Sequence, residues 1–373
     1  MKTTAAVIFE QPGKWEVLEV DLDGPKEFEV LVEFAACGLC HSDDHIAKGD
    51  MMMSHLPYCG GHEGAGVVLE VGGGVRSLQV GDHIVTSFIP GCGKCRWCAS
   101  GQQNLCDYGA LIAIGSQMDG TFRMHAGGAD VAQGSLLSAF SRHSVLPEWS
   151  CIKIDREIPL LAAALVGCAV PTGWGSAVNA AQVSPGDVVI VMGVGGVGIN
   201  AVQGAAHAGA AHVVAVDPVA LKRDTACKLG ATAAFAGIEE AREYVQDFTN
   251  GQGADATIIT IGVVTSGHVG QGFSSIRKGG TVVVTGMGNK DEMGIPVGLF
   301  ELTMYQKRIQ GCLFGMMSPS KDVPRLLSLY QTGHLKLDEL VSRTYPLEQI
   351  NEGYVDMHAG QVIRGVIDYT LAG

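Results

Sequence analysis

The chain has 373 residues, enough for two or three domains. Hydrophobic residues make up 47% of it and charged residues 17%, a balance that provides for a buried core and argues against intrinsic disorder. The formal net charge of −13 disfavours binding to nucleic acid or to an anionic membrane surface, both of which attract basic proteins.

Neither an export signal nor a membrane span is predicted. Glu10 interrupts the amino end before a secretory apolar core develops. The longest apolar stretch, 188–206, contains several glycines together with Asn200 and Gln203, and we interpret it as a buried strand followed by a turn and a helix. We therefore expect a soluble, cytoplasmic protein.

The first 150 residues are typical of a β-rich domain. Short apolar runs, such as 30–34 and 66–71, lie between turns rich in glycine, proline and aspartate. This texture predicts a compact barrel or sandwich with long loops.

From about Gly186 the pattern changes to alternating strands and helices. Strands are predicted over 188–192, 213–216, 256–260 and 281–285, and helices over 220–229 and 239–249. Because these strands are almost continuously apolar, we expect a parallel, doubly wound sheet that is buried on both faces. The last 55 residues are mixed, with a helix predicted over 323–330 and a strand over 366–369.

A glycine-rich turn follows the first of these strands and opens a helix. Its residues are Gly193, Val194, Gly195, Gly196, Val197 and Gly198. Gly193 allows the tight turn, Gly195 lets the backbone approach a pyrophosphate, and Gly198 permits close packing of helix on strand. Asp217 ends the next strand, where a carboxylate can bind both ribose hydroxyls and repel a 2′-phosphate. The pattern predicts NAD rather than NADP; the alternative is an ordinary turn and a solvent-facing aspartate.

Four cysteines lie within fifteen residues: Cys92, Cys95, Cys98 and Cys106. Four thiolates at this spacing can close a tetrahedral shell around one Zn²⁺, which predicts a structural zinc site. A ferredoxin-type cluster would have a final gap of three residues and a proline after the last cysteine, whereas Asp107 follows here after a gap of seven. The five other cysteines that lack a partner by spacing are expected to be small core residues: Cys37, Cys59, Cys151, Cys227 and Cys312.

Two further segments, 37–45 and 60–64, combine metal-ligand residues with acid–base residues. Spacing alone does not assign the ligands of an open zinc site that draws on distant segments. Taken alone, Ser42 is equally consistent with a helix cap ahead of Asp43 and Asp44, and His45 with a surface histidine.

In this order, the motifs resemble those of the zinc-dependent medium-chain alcohol dehydrogenases. The residues that carry the resemblance are 40–45, 61–64, the four-cysteine lobe, 167–168 and 193–198. Segments 87–90, 173–179 and 216–219 look closest to the actinobacterial nitrosodimethylaniline-dependent, or nicotinoprotein, members. The resemblance implies a GroES-like catalytic domain in 1–175 and 315–373, with a Rossmann NAD-binding domain in 176–314.

The resemblance also implies roles for individual residues. Cys40, His62 and Cys168 would bind a catalytic zinc, so that each subunit holds two zinc ions. Glu63 would lie beside the metal as an alternative ligand, and Asp43 would orient His62.

Further residues would contact the cofactor and the substrate. The cofactor residues implied are His41, Thr172, Lys222 and Arg364, with His41 and Arg364 at the pyrophosphate. His41 stands where some members carry arginine, which predicts weaker binding of the phosphates. Phe88 would line an apolar substrate pocket.

The implied reaction is the reversible oxidation of an alcohol to an aldehyde. Zinc lowers the pKa of the bound alcohol, the alkoxide passes hydride to NAD, and the proton leaves from Ser42 through the cofactor ribose to His45. Primary medium-chain or aromatic alcohols are the expected substrates of a homo-oligomer. NAD would be either exchangeable or retained and recycled by an unidentified electron acceptor. The alternatives are a formaldehyde dehydrogenase that acts on a thiol adduct and a non-catalytic NAD-sensing zinc protein.

Overall fold

The computed structural model describes residues 1–371. Its internal contacts divide the chain into two compact units. The first contains Met1–Cys168 and the segment from Ser318 onward, and the second is Ala169–Met317.

The first unit begins with two β-layers. Its strands up to residue 168 are β1 (Lys2–Ile8), β2 (Glu16–Leu22), β3 (Glu29–Gly38), β4 (Tyr58–Cys59), β5 (Gly64–Val71), β6 (His83–Thr86), β7 (Met124–Ala126), β8 (Ala129–Gln133), β9 (His143–Pro147) and β10 (Cys151–Ile154). Its helices there are α1 (His41–Lys48), α2 (Arg96–Ala99) and α3 (Leu160–Ala164). Five strands close a barrel in the order β1-β2-β7-β8-β4. The expected β-rich texture is confirmed, and the two apolar runs lie within β3 and β5.

The second unit alternates strands and helices. Its elements are α4 (Ala169–Gly175), β11 (Val188–Met192), α5 (Gly198–His207), β12 (His212–Val216), α6 (Ala220–Lys228), β13 (Ala233–Phe235), α7 (Ile238–Phe248), β14 (Ala254–Ile259), α8 (Ser266–Ser275), β15 (Ile276–Val284), α9 (Leu299–Met304) and β16 (Arg308–Gly311). The strands pair in parallel in the order β13-β12-β11-β14-β15-β16. This is the strand order of the Rossmann fold, so the predicted doubly wound sheet is confirmed.

The carboxyl-terminal segment returns to the first unit. Its elements are α10 (Pro319–Gln331), β17 (Val341–Tyr345), α11 (Ile350–His358) and β18 (Arg364–Asp368). Strand β18 pairs antiparallel with β3, which completes a seven-stranded sheet in the order β10-β6-β5-β3-β18-β17 with β9 also on β3. The chain thereby brings Arg364 beside residues that lie more than 300 positions earlier.

The first unit combines aromatic packing with a buried ion pair between two segments. The Trp15 and Phe140 rings meet edge to face, with centroids 5.2 Å apart. Arg123 binds both carboxylate oxygens of Glu29, through Nε at 2.8 Å and Nη2 at 2.6 Å. Because both partners are buried and the contact is bidentate, this pair fixes the loop before β7 against β3.

The lone cysteines follow the expectation only in part. Cys37, Cys59 and Cys312 are buried and Cys151 is half-buried, but Cys227 is exposed, so its core assignment is wrong. Cys227 lies on α6, a helix that buries only Ala226.

Among residues 1–371, no single helix is long and apolar enough to cross a membrane. One bent pair of helical segments, Leu160–Gly167 and Ala169–Ala180, is long and apolar enough only when the two are taken together.

Candidate active site and metal centres

The first unit gathers four ligand-type side chains from separate segments. One side-chain atom each from Cys40, His62, Glu63 and Cys168 lies within 4.8 Å of the others. Cys40 precedes α1, His62 and Glu63 precede β5, and Cys168 follows a short 3₁₀ turn, Leu165–Gly167. The structure therefore brings together the three predicted zinc ligands and the predicted alternative ligand.

The Asp43 carboxylate lies beside the His62 ring. Its Oδ2 lies 3.0 Å from His62 Nδ1, and its Oδ1 accepts a hydrogen bond from the Gly61 backbone N–H at 3.0 Å. Burial alone would lower the pKa of His62, but the Asp43 carboxylate and the Cys40 thiolate outweigh burial and raise it well above its ordinary value. Because Asp43 occupies Nδ1, the imidazole presents Nε2 toward the cluster.

Glu63 is held by a buried arginine. Arg364 Nη2 donates to Glu63 Oε2, while Glu63 Oε1 and Arg364 Nε have no hydrogen-bond partner among the described residues. Burial raises the pKa of the Glu63 carboxyl to about 7, although the charge of Arg364 opposes that rise. A buried oxygen without a partner, next to two thiols and an imidazole nitrogen, fits a zinc ion.

Two residues near Glu63 were not recognised from the sequence. A Cβ atom on Gly38 would lie 2.3 Å from Glu63 Oε2, so glycine leaves the space that the carboxylate needs. The Thr86 hydroxyl accepts from the Gly64 N–H at 2.8 Å and lies 3.2 Å from the His62 carbonyl oxygen, which ties the ligand segment to β6. Neither residue belongs to a ligand-type motif, so only the folded chain reveals them.

The Ser42 hydroxyl faces the metal-ligand cluster. Ser42 Oγ donates to Cys40 Sγ at 3.2 Å and lies 3.4 Å from His62 Nε2. Helix α1 begins at His41 with Cys40 in the N-cap position, so the helix-cap alternative for Ser42 is wrong.

His45 lies one helical turn further along α1. It is 8% exposed, so the surface-histidine alternative is also wrong. Its Nδ1 lies 2.8 Å from Oδ2 of Asp50, a residue that the sequence did not single out.

Phe88 contacts a ligand-type histidine, and His41 contacts two other histidines. The rings of Phe88 and His62 meet at 80° with centroids 5.6 Å apart, so Phe88 forms a wall next to the cluster. His41 is exposed at the first position of α1, and its ring lies 6.4 Å from those of His45 and His358.

The four-cysteine lobe forms a second candidate metal centre. Its four sulfurs lie within 4.8 Å of one another, and those of Cys92 and Cys98 are 3.8 Å apart. Two sulfurs bound tetrahedrally to one zinc at about 2.3 Å would lie about 3.8 Å apart. Burial opposes ionisation of Cys95, but hydrogen bonds from the backbone N–H groups of Cys98 and Asp107 lower its pKa to about 6. Four sulfurs fill a tetrahedral shell and leave no position for a substrate.

The glycine-rich turn of the second unit has the geometry that its sequence predicts. Gly193 follows β11 with φ of +84°, a conformation that glycine adopts without strain. A Cβ atom on Gly198 would lie 1.9 Å from the Gly193 carbonyl oxygen, whereas one on Gly195 would meet only Lys222 Nζ, at 3.9 Å. Gly198 is thus required by packing, whereas Gly195 has room for a side chain.

Asp217 and Thr172 complete this part of the second unit. Asp217 is 4% exposed, and its carboxylate accepts from the backbone N–H groups of Val194 at 3.0 Å and Val219 at 2.9 Å, so it is not a solvent-facing aspartate. Thr172 Oγ1 is buried without a partner among the described residues. A fixed carboxylate beside the turn and a buried hydroxyl without a partner both fit a bound dinucleotide.

The comparisons with known proteins agree with this geometry. Residues 26–156 match the family model of the alcohol dehydrogenase GroES-like domain, and residues 196–332 match that of the zinc-binding dehydrogenases. The chain is 51% identical over 367 residues to the NDMA-dependent alcohol dehydrogenase of Amycolatopsis methanolica, an alignment that covers 98% of this chain and 99% of that protein. The chain belongs to the zinc-dependent alcohol dehydrogenases. The predicted family, fold class and oxidoreductase activity are confirmed.

Solved structures of other alcohol dehydrogenases have the same fold. An alcohol dehydrogenase zinc-binding domain protein of Burkholderia ambifaria is 31% identical with a TM-score of 0.92, and each chain is 99% covered. The benzyl alcohol dehydrogenase of Acinetobacter calcoaceticus is 27% identical with a TM-score of 0.91, again with 99% of each chain covered. A dehydrogenase of this family uses zinc and a nicotinamide dinucleotide, and the donor sets described above fit both.

Proposed function

We propose that this alcohol dehydrogenase converts primary medium-chain or aromatic alcohols and the corresponding aldehydes into one another, with NAD retained on the protein and recycled by a second acceptor. The main support for this activity is the cluster of Cys40, His62, Glu63 and Cys168, with the Ser42 hydroxyl beside it. Retention of NAD rests on the 51% identity to a protein named as NDMA-dependent.

The two metal centres have different tasks in this proposal. Cys40, His62 and Cys168 hold the catalytic zinc, Glu63 serves as an alternative ligand, and Asp43 orients His62. The four cysteines of the lobe hold the structural zinc. When bound, the catalytic zinc supplies a Lewis acid and NAD supplies a hydride acceptor.

Proton movement is assigned to two side chains of α1. Ser42 Oγ takes the proton of the alcohol hydroxyl, because it is the hydroxyl that contacts ligand atoms of the cluster. His45 exchanges the proton with solvent, for which imidazole is suited near neutral pH. In the reverse direction the same groups deliver a proton to the aldehyde oxygen.

The cofactor assignment rests on Asp217 and on donors without partners. Asp217 is fixed beside the glycine-rich turn, where its negative charge favours NAD over NADP. Gly195, Lys222 and the start of α5 are assigned to the phosphates, Thr172 to the cofactor, and His41 and Arg364 to the pyrophosphate. The Nε of Arg364, buried without a partner, supports its assignment.

The substrate assignment rests on an apolar wall. Phe88 packs its ring against His62, so a substrate that reaches the zinc passes an aromatic surface. One solved structure of high similarity is a benzyl alcohol dehydrogenase, which supports aromatic alcohols as substrates.

The domain roles and the assembly are further parts of the proposal. Residues 1–175 and 315–373 form the catalytic domain and 176–314 the NAD-binding domain, close to the division seen in the contacts. We infer a homo-oligomer in the cytoplasm. Self-association is supported by β16, an edge strand of the parallel sheet, and by the exposed apolar side chains Leu299, Phe300 and Met304 in α9.

The test follows aldehyde formation from benzyl alcohol by the desalted, purified enzyme in three arms: no addition, added NAD, and added nitrosodimethylaniline. We expect turnover with the nitroso acceptor in the absence of added NAD. Turnover only with NAD would mean an exchangeable cofactor and would contradict the retention proposal. Turnover of formaldehyde that depends on an added thiol, without turnover of benzyl alcohol, would favour the thiol-adduct alternative. Cys40→Ser, which leaves the four-cysteine lobe unchanged, should be inactive in every arm.

A further inference from the structure

A carboxylate that lies outside the recognised motifs contacts the imidazole assigned to proton release. His45 Nδ1 lies 2.8 Å from Asp50 Oδ2. The imidazole is buried with 10% of its side chain exposed, whereas the side chain of Asp50 is 58% exposed. The pair thus extends from the interior of the first unit to its surface.

The end of α1 places Asp50 in this position. Gly49 follows the helix in the left-handed conformation, with φ of +83°, and reverses the chain direction. The Asp50 backbone N–H then donates to the carbonyl oxygen of His45 at 2.9 Å, and that of Met51 donates to the same oxygen at 3.2 Å. Backbone and side chain of Asp50 therefore both bind the same histidine.

A glutamine from the amino-terminal segment fixes this turn from the other side. Gln11 Nε2 donates to the carbonyl oxygens of Ile46 at 2.6 Å and Met51 at 3.0 Å. Its Oε1 accepts from the Met53 N–H at 2.9 Å. These three hydrogen bonds connect the segment on both sides of Asp50 to one side chain, so the turn has a defined geometry.

The other charged groups on this part of the unit pair among themselves. The Asp44 carboxylate lies 2.9 Å from Lys48 Nζ and 2.8 Å from His358 Nε2. The His41 ring lies 6.4 Å from the His45 ring. Asp44 is thus bound by Lys48 and His358, whereas Asp50 contacts the His45 ring.

We propose that Asp50 is a positioning residue for proton release: it holds the proton of the neutral His45 ring on Nδ1, so that Nε2 is the nitrogen that receives the proton coming from the substrate. An imidazole needs an acceptor on one nitrogen to present a lone pair on the other. When Nε2 takes the proton, the Asp50 carboxylate balances the charge of the imidazolium, and the proton then passes to water or to a buffer base. This inference rests on the role of His45 in the proposed function.

Two substitutions of Asp50 distinguish the effect of orienting the His45 ring from the effect of the carboxylate charge. Asp50→Asn keeps an oxygen that accepts from Nδ1–H and removes the charge, whereas Asp50→Ala removes both. With benzyl alcohol and nitrosodimethylaniline, we expect Asp50→Ala to lower kcat about tenfold at an unchanged KM, a part of what a complete acid–base group contributes. Asp50→Asn should lose less, and added imidazole buffer should restore much of the rate of Asp50→Ala.

Nitrogen-15 NMR of histidine-labelled, zinc-loaded enzyme gives a readout that does not depend on turnover. The His45 signal is identified by its loss in His45→Gln. We expect the Nδ1-protonated form in the parent and in Asp50→Asn, and a mixture with the Nε2-protonated form in Asp50→Ala. The matched control is Asp130→Asn, because Asp130 binds Nδ1 of His125 at 2.9 Å with a side chain that is 52% exposed. That control should change neither the rate nor the His45 signal.

The outcomes separate this inference from the proposed function. If both Asp50 variants match the parent in rate and in the His45 signal while His45→Gln is slow, the role of Asp50 is wrong and the role of His45 stands. If His45→Gln turns over as fast as the parent, the proton-release assignment itself is wrong, and the inference falls with it. A loss of rate in Asp50→Ala that imidazole does not restore would mean a purely structural contact and would also overturn the inference.

Discussion

In the proposed function, two carboxylates each fix which nitrogen of a neighbouring histidine acts. Asp43 and Asp50 each bind the Nδ1 atom of an imidazole, the first at His62 and the second at His45. In the proposed function, Nε2 of His62 faces the metal ligands and Nε2 of His45 receives the proton. Removing either carboxylate leaves the imidazole in place but should change which of its nitrogens carries the proton and which offers a lone pair.

Loss of the Asp43 charge should change metal binding at His62. Asp43→Asn should weaken binding of the catalytic zinc by about 10- to 100-fold, because the partner of the ligand His62 loses its charge. Zinc content measured after dialysis against a graded series of chelators should fall to one ion per chain before that of the parent does. The four-cysteine lobe serves as the internal control, since Asp43 has no part in it. Equal loss of both ions at the same chelator strength would contradict the prediction.

At the scale of elements, two glycines in the turn between β11 and α5 have different tasks: one is needed for packing and the other is assigned to cofactor binding. Gly198→Ala places a methyl group 1.9 Å from a carbonyl oxygen, whereas Gly195→Ala places one in open space beside Lys222.

We expect both variants to carry less bound dinucleotide per chain, but only Gly198→Ala to lower the unfolding midpoint of the cofactor-free protein. Gly195→Ala should stay within about 0.5 kcal/mol of the parent. Bound dinucleotide is measured by absorbance after denaturation, and stability by denaturant titration. A full complement of dinucleotide in Gly195→Ala would show that the phosphates do not approach this surface.

The four central strands of the parallel sheet could be predicted, and the reason is local, whereas the edge strands β13 and β16 were not predicted. Its strands are apolar runs such as 188–192, and the turn that follows has glycines whose spacing matches its geometry. The active site of the first unit could be predicted only in part. Cys40 and His62 stand in motifs, but the partner of Glu63 arrives on β18, three hundred residues later, and Asp50 depends on the turn at Gly49. Such contacts are created by the pairing of distant strands or by the turn at a helix end, and the spacing of residues in the sequence does not reveal them.

At the scale of the whole molecule, we expect the buried ion pair of Arg123 and Glu29 to contribute to the stability of the first unit. Arg123 is fully buried and binds Glu29 through two hydrogen bonds, whereas Arg142 binds Glu33 at 3.2 Å on the surface. Arg123→Met leaves a buried carboxylate without its partner and should lower the free energy of unfolding by about 3 to 5 kcal/mol. Arg142→Met, the matched exposed control, should cost less than about 1 kcal/mol. Denaturant midpoints of the two variants test the difference; equal midpoints would contradict it.

Phe88 connects the four-cysteine lobe to the surroundings of His62, so the lobe would affect more than folding. Phe88 packs against the cluster around Cys92 and Cys98 and also against the main hydrophobic core of the first unit, and its ring meets that of His62. In the proposed function, the aromatic wall that an alcohol encounters is therefore in contact with the four-cysteine lobe. By holding Phe88 in place, the lobe would help the enzyme to distinguish slender from bulky alcohols. A chain with a loosened lobe would become less selective among substrates while its catalytic ligands remained intact.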